Sequence, residues 1–171
     1  MLELIVHHVI ILLSLNMPLL YMKNKKLILP LLGGVLCSAC SSWQWQADPI
    51  HRDYRPLIKS ICIENNPKVK IDRFQEMLIN RVESYRIQTQ AFNFPYKPGS
   101  CDFVLNYDAT EDYDSGFFIR DATLKLYNRS GQRIGLSEYH VYRGSLDTTK
   151  YQENKIKINR LVDGLLTVKK K

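Results

Sequence analysis

The chain has 171 residues, 45% of them hydrophobic and 24% charged, with 8 Gly, 7 Pro, 4 Cys and a formal net charge of +7. This composition excludes a multidomain machine, a collagen-like fibre and a wholly disordered chain. The basic excess is scattered and no nucleic-acid-binding motif accompanies it, so nucleic acid is not an expected partner.

Residues 1–21 form an apolar stretch interrupted by Glu3, His7, His8 and Asn16. They read as an upstream extension from a start codon placed too early, with Met22 the true start; an amino-terminal membrane helix is the alternative. From Met22 the chain runs Met22-Lys23-Asn24-Lys25-Lys26, then Leu27 to Leu36 without charge, then Cys37-Ser38-Ala39-Cys40. A basic head, an apolar stretch of this length and small residues before a cleavage point define a signal peptide over residues 22–39. The apolar run is half of the roughly 20 residues that a spanning helix needs.

Ser38 and Ala39 before Cys40 resemble the lipobox of bacterial lipoproteins, in which the cysteine is acylated and becomes the first mature residue. Cys37 stands where the motif has Leu, which leaves cleavage after Ala39 to a soluble periplasmic protein as the alternative. Two or three acyl chains on one residue anchor stably where one would not. By the same resemblance, Ser41 after the cysteine, where Asp would retain the protein at the inner membrane, implies an outer-membrane location facing the periplasm. Residues 40–56 read as a lipidated tether that ends near Pro49, with Trp43 and Trp45 suited to the headgroup interface or to packing on the domain. Without residues 1–39 the chain keeps 21 basic and 16 acidic residues, a net +5, and Lys169-Lys170-Lys171 reads as a solvated tail.

Residues 57–171 read as one domain. Leu57 to Glu64 suits a strand with Ile61 and Ile63 on one face, broken by Asn65-Asn66-Pro67. Asp72 is the expected N-cap, with Gln75 in a capping-box position, and Phe74, Met77, Leu78, Val82 and Tyr85 have helical spacing. A short edge strand follows within Arg86 to Phe92, then a loop through Phe94-Pro95-Tyr96-Lys97-Pro98-Gly99. Cys101 to Ala109 alternates with Phe103, Leu105 and Tyr107 on one side. Gly116 to Tyr127 alternates with Ala122, Leu124 and Leu126 inward. Asn128-Arg129-Ser130-Gly131 is a hairpin turn into Arg133 to Tyr142, where apolar parity switches from Ile134 and Leu136 to Tyr139 and Val141 and predicts a β-bulge near Ser137 or Glu138. Asp147-Thr148-Thr149 is the expected cap of a last helix whose core stripe is Ile158, Leu161, Val162, Leu165 and Leu166. The order β-α-β-β-β-β-α implies an α+β fold in two layers, a mostly antiparallel four- to five-stranded sheet with two helices on one face.

Cleavage leaves Cys40, Cys62 and Cys101, and lipidation of Cys40 leaves an even pair that could form a bridge worth on the order of 2–4 kcal/mol. Strand parity speaks against it, since Cys101 shares a face with Phe103 and Leu105 whereas Cys62 opposes Ile61 and Ile63. Two buried thiols are the alternative. The C-x-x-C at Cys37 and Cys40 straddles the cleavage site and has no second pair at metal spacing. Asp108, Glu111, Asp112 and Asp114 form an acidic cluster, and Asp112-Tyr113-Asp114-Ser115-Gly116 resembles the start of a calcium loop; the bidentate Glu such a loop requires six residues after its Gly is Ala122 here. His51 and His140 have no nucleophile at motif spacing, and no Gly-x-Ser-x-Gly, His-Glu-x-x-His or phosphate loop is present. No catalytic residue, metal ligand or cofactor is therefore assigned, and the expected function is non-enzymatic.

Three segments, Ile61-Cys62-Ile63-Glu64-Asn65-Asn66-Pro67, Cys101-Asp102-Phe103-Val104-Leu105-Asn106-Tyr107-Asp108-Ala109 and Gly135-Leu136-Ser137-Glu138-Tyr139, resemble a family of small proteobacterial (Gram-negative) envelope lipoproteins. Members tend to carry Trp-Asp where this chain has Tyr113-Asp114. The resemblance implies that Cys62 and Cys101 are characteristic, which favours their pairing, and it brings no activity with it. The expected function is a membrane-anchored binding or accessory domain that recognises an envelope protein through the sheet face left open by the helices. The alternative is a small-molecule or lipid-binding accessory subunit of an envelope transport system, with a pocket lined by Phe74, Met77, Leu105 and Leu161.

Overall fold

The computed structural model describes residues 44–142 and 148–167. The segment read as a signal peptide, Cys40, where lipidation is expected, Trp43, Asp147 and the Lys169-Lys170-Lys171 tail lie outside the described residues. Six strands and two α-helices build an α+β domain: β1 (Trp45–Asp48), β2 (Ser60–Glu64), α1 (Phe74–Glu83), β3 (Gln88–Phe92), β4 (Val104–Tyr113), β5 (Phe117–Tyr127), β6 (Arg133–His140) and α2 (Asn154–Leu166), with a 3₁₀ turn at Thr148–Tyr151 before α2. The sheet order is β1-β6-β5-β4-β2-β3. Neighbours among β1, β6, β5 and β4 are antiparallel, whereas β2 runs parallel to both β3 and β4.

The sheet exceeds the four to five strands expected because β1 comes from the stretch read as a tether. Its alternation is short and its polar residues face outward, so periodicity does not reveal it. Trp45 pairs with Tyr139 and Ala47 with Ser137, and the Trp45 ring lies 4.4 Å from that of Tyr139. From α2, Arg160 sits 4.3 Å over Trp45 and Lys157 5.3 Å over Tyr139. Two cations thus cover two adjacent rings, an arrangement worth about 0.5–1 kcal/mol per contact at exposed sites and more where water is excluded. Trp45 belongs to the domain rather than to a linker.

Both helices cover one face. Ile61 and Ile63 of β2, Leu105 and Tyr107 of β4 and Ala122, Leu124 and Leu126 of β5 point at Phe74, Leu78 and Val82 of α1 and at Ile158, Leu161, Val162 and Leu165 of α2 in one continuous core. The helices are tied to each other by Arg81, whose guanidinium donates to both Asp163 oxygens at 2.8 Å, and by the Tyr85 hydroxyl, which donates to Asp163 at 2.7 Å. Burial holds the Tyr85 phenol above its usual range.

Three local expectations are corrected. Helix α1 begins at Phe74 after Arg73 in a left-handed conformation (φ 53°), with no side-chain cap, so Asp72 does not serve as N-cap. Before α2 the threonines form the 3₁₀ turn, and Glu153 takes the N-cap position without a side-chain bond. The register shifts fall between Thr110 and Glu111 and between Leu126 and Tyr127, not at Ser137 or Glu138. The second shift lies in β6, where Ile134 is the extra residue between the Arg133–Tyr127 and Gly135–Leu126 pairs and packs against the core, so the bulge sits three residues before Ser137; beyond it the helix-facing residues are Gly135, Ser137 and Tyr139, opposite Leu126, Leu124 and Ala122. Gly135 and Ser137 are small because α2 approaches closely there. A Cβ on Gly135 would lie 2.8 Å from Leu165 Cδ1, and one on Gly164 would lie 3.0 Å from Ser137 Oγ and 3.2 Å from Ala47 Cβ.

The β5–β6 turn follows its sequence. Gly131 takes φ +79°, and the Asn128 side chain accepts from the Gln132 amide at 2.9 Å.

Candidate functional site

The face opposite the helices is where the sheet remains uncovered. Cys62 and Glu64 of β2, Gln90 and Phe92 of β3, Val104, Asn106, Asp108 and Thr110 of β4, and Asp121, Thr123, Lys125 and Tyr127 of β5 share it by strand register. Alternation explains the composition, since each sits beside a core residue of opposite parity.

Cys62 and Cys101 are joined in a disulfide with a Cα separation of 5.6 Å. The parity argument fails because Cys101 precedes β4: its amide donates to Pro98 O at 3.1 Å in a turn, which frees its side chain to reach the Cys62 face. Phe92 and Val104 bury the bridge in a small cluster of their own. The 93–100 loop that leads into the bridge crosses the open face and makes one wall of a groove. At one end, a cleft of about 320 Å³ is bordered by Phe94, Pro95, Val104, Tyr127 and Arg129. At the other, a cleft of about 690 Å³ is bordered by Asn66, Asn93, Tyr107 and Asp108. Glu64, Phe94 and Asn106 line both clefts.

The groove has a built polar floor. Asn66 donates to Tyr107 O at 2.9 Å and accepts from the Lys68 amide at 3.0 Å, and Asn65 donates to Asn93 at 2.9 Å. The Asn66 amide donates to the Tyr107 hydroxyl at 3.3 Å; burial raises the Tyr107 phenol's pKa and this bond partly offsets the shift. Asn106 Oδ1 is shielded from solvent and has no hydrogen-bond partner among the described residues. A buried acceptor left unmatched costs about 1–3 kcal/mol. Among the groove residues, Asn65, Asn66, Asn106, Tyr107 and Asp108 fall in the segments that carry the family resemblance. Asn106 is the residue that site reasoning passed over, and its signal was a polar amide in mid-strand between two core residues.

The histidines separate. His51 is exposed and bonds only locally, 3.1 Å from Asp53. His140 Nδ1 meets Asp121, which also accepts from Arg120 at 2.6 Å and from the Thr110 hydroxyl at 2.9 Å. Burial pushes the Asp121 carboxyl up, but the bonds from Arg120, His140 and Thr110 outweigh it and hold it below its ordinary value. The acidic cluster is dispersed among cations: Lys150 Nζ donates to Asp114, which raises the lysine's pKa, and Arg120 approaches Asp112 at 3.9 Å. Asp108 lies apart, in the groove. Of the residues expected to line a pocket between helix and sheet, Phe74, Leu105 and Leu161 are at most 2% exposed and packed in the core, whereas Met77 is half-buried and borders a surface cleft with Arg73, Glu76 and Asn80. Among the described residues no helix is long and apolar enough to cross a membrane.

No family model matches the chain, and no curated protein matches it. Its fold is similar to that of the PelC dodecamer subunit from Paraburkholderia phytofirmans, with a TM-score of 0.51 over 71% of this chain and 97% of that chain at 10% identity. A variant of the PelC dodecamer from the same organism gives a TM-score of 0.47 over 74% of this chain and 98% of that one, again at 10% identity. The likeness is one of fold alone.

Proposed function

We propose that this chain is a non-enzymatic lipoprotein, anchored through Cys40 in the outer membrane and facing the periplasm, whose uncovered sheet face binds an envelope protein. The observation that carries the reading is the unmatched Asn106 acceptor on the floor of a groove walled by the exposed Phe94. A buried polar atom without an internal partner is satisfied when a donor arrives from outside, and an aromatic beside it supplies apolar area for the same contact. A protein edge or loop offers both backbone donors and apolar side chains. The lipobox-like Ser38-Ala39-Cys40 supports the location.

The test is a photo-crosslinking amino acid placed in intact cells at Phe94 or Tyr127, and as controls at Asn80 and Lys155 on the helix layer. The expected result is a discrete adduct from the two groove positions and none from the helix positions. Equal yields from both faces, or no adduct from either, overturn the reading. A small molecule copurifying in native mass spectrometry, and lost on Asn106→Leu, would replace the protein partner by a ligand.

A further inference from the structure

Among the described residues, eight large apolar side chains are exposed, and five of them, Tyr113, Phe117, Tyr142, Tyr151 and Ile156, gather at one end of the molecule. The topology dictates that gathering. Tyr113 and Phe117 close the β4–β5 hairpin, paired with each other and 5.1 Å apart. Tyr151 is fixed against the same hairpin, its hydroxyl donating to Asp114 O and its ring 3.5 Å from the place a Cβ on Gly116 would take. Tyr142 follows the end of β6, 4.6 Å from His140. Ile156 lies one helical turn before Arg160, which covers Trp45.

The chain enters the domain at this same end. β1 is antiparallel to β6, so its first residue lies at the end of β6, and the His140 amide donates to Gln44 O at 2.9 Å. Cys40 is five residues before Trp45, a reach of at most roughly 18 Å when fully extended. An acylated Cys40 therefore holds this end, and no other, within reach of the bilayer. Phe94 is about 30 Å away, since it borders a cleft with Val104 at the far end of β4 from Tyr113, nine residues at strand rise.

We infer that Tyr113, Phe117, Tyr142, Tyr151 and Ile156 form a membrane-contacting crown that seats this end of the domain in the headgroup layer around its own anchor. The inference rests on the lipid-anchor reading above. Tyrosine suits that depth because its ring is apolar and its hydroxyl is wet. The carboxylates behind the crown are partly offset: Asp112 and Asp121 share Arg120, and Asp114 is met by Lys150, while Glu111 and Glu153 stay exposed.

The test uses the full chain extracted from its own membrane fraction, carrying Phe117→Cys or Tyr142→Cys at the crown or Tyr96→Cys in the 93–100 loop. Each is labelled with an environment-sensitive fluorophore and placed in phosphatidylethanolamine–phosphatidylglycerol vesicles containing brominated lipid. Intact mass, read first, reports acylation at Cys40 and, by the gain of two protons on reduction, the native Cys62–Cys101 bridge. The expected result is an acylated chain whose label is quenched several-fold more strongly at positions 117 and 142 than at 96. An acylated, bridged chain with equal quenching at all three positions, or none, overturns the crown and leaves the anchor standing. A chain without acyl groups overturns the anchor reading and the crown with it.

Discussion

The two faces of the sheet are made from the same strands, yet they solve opposite problems. On the helix side the alternate residues of β2, of β4 as far as Ala109 and of β5 from Ala122 are apolar, and where α2 presses closest β6 is reduced to Gly135 and Ser137. On the other side the same strands carry Asn106, Asp108, Thr123, Lys125 and Tyr127, and the one covering element is a loop held by a disulfide. One face is specified by volume, and the other by hydrogen-bonding capacity. Damage should accordingly read out as lost stability on the first and as lost recognition on the second.

The sharpest break is Leu124→Ala. The side chain is fully buried, and its truncation should cost about 2–5 kcal/mol in urea or thermal unfolding. Its neighbour Thr123→Ala, on the open side, should stay within about 0.5 kcal/mol. If both cost the same, the division between faces is wrong. Replacing Cys62 and Cys101 together by serine should lower stability by about 2–4 kcal/mol, and limited proteolysis should then cut the 93–100 loop first. Gly135→Ala should cost about 1–3 kcal/mol by overpacking, whereas Gly99→Ala meets nothing within 4 Å and should be neutral within about 0.5 kcal/mol. Asn106→Leu should leave stability unchanged or raise it by about 1 kcal/mol, because it removes an unmatched acceptor, while abolishing the crosslink from Tyr127.

The smallest effect is electrostatic. The Asp121 carboxyl is held below its ordinary value of 3.8, so its contribution is present above that pH and is lost as pH falls through the lower folded value. With 36% of the side chain exposed, solvent screening limits it to about 1 kcal/mol or less. Asp121→Asn should flatten the acid limb of a stability–pH curve only below about pH 4.

The helix side was legible in the sequence because burial imposes a period: the stripes of α1, β5 and α2 were read residue by residue, and they are what the core contains. Where packing asks for small residues the signal inverts. Gly135 and Ser137 carry no hydrophobicity, so the alternation of β6 beyond Ile134 is masked and its expected bulge is displaced from Ile134 towards Ser137. β1 gives no period to detect for a related reason, since it has four residues with one half-buried aromatic. The Cys62–Cys101 bridge was obscured by extending β4 three residues too far back. Asn106 and its groove have no periodic signature, because a binding surface is defined by what its partner supplies.

The position of β1 has a mechanical consequence. The chain enters the domain through an edge strand whose hydrogen bonds to β6 run across the strand axis. A pull on residue 44 along that axis loads those bonds together, in shear, and passes straight into the β6–β5–β4 sheet. If the chain is lipid-anchored as proposed, force arriving at residue 44 would thus pass into the sheet through paired backbone.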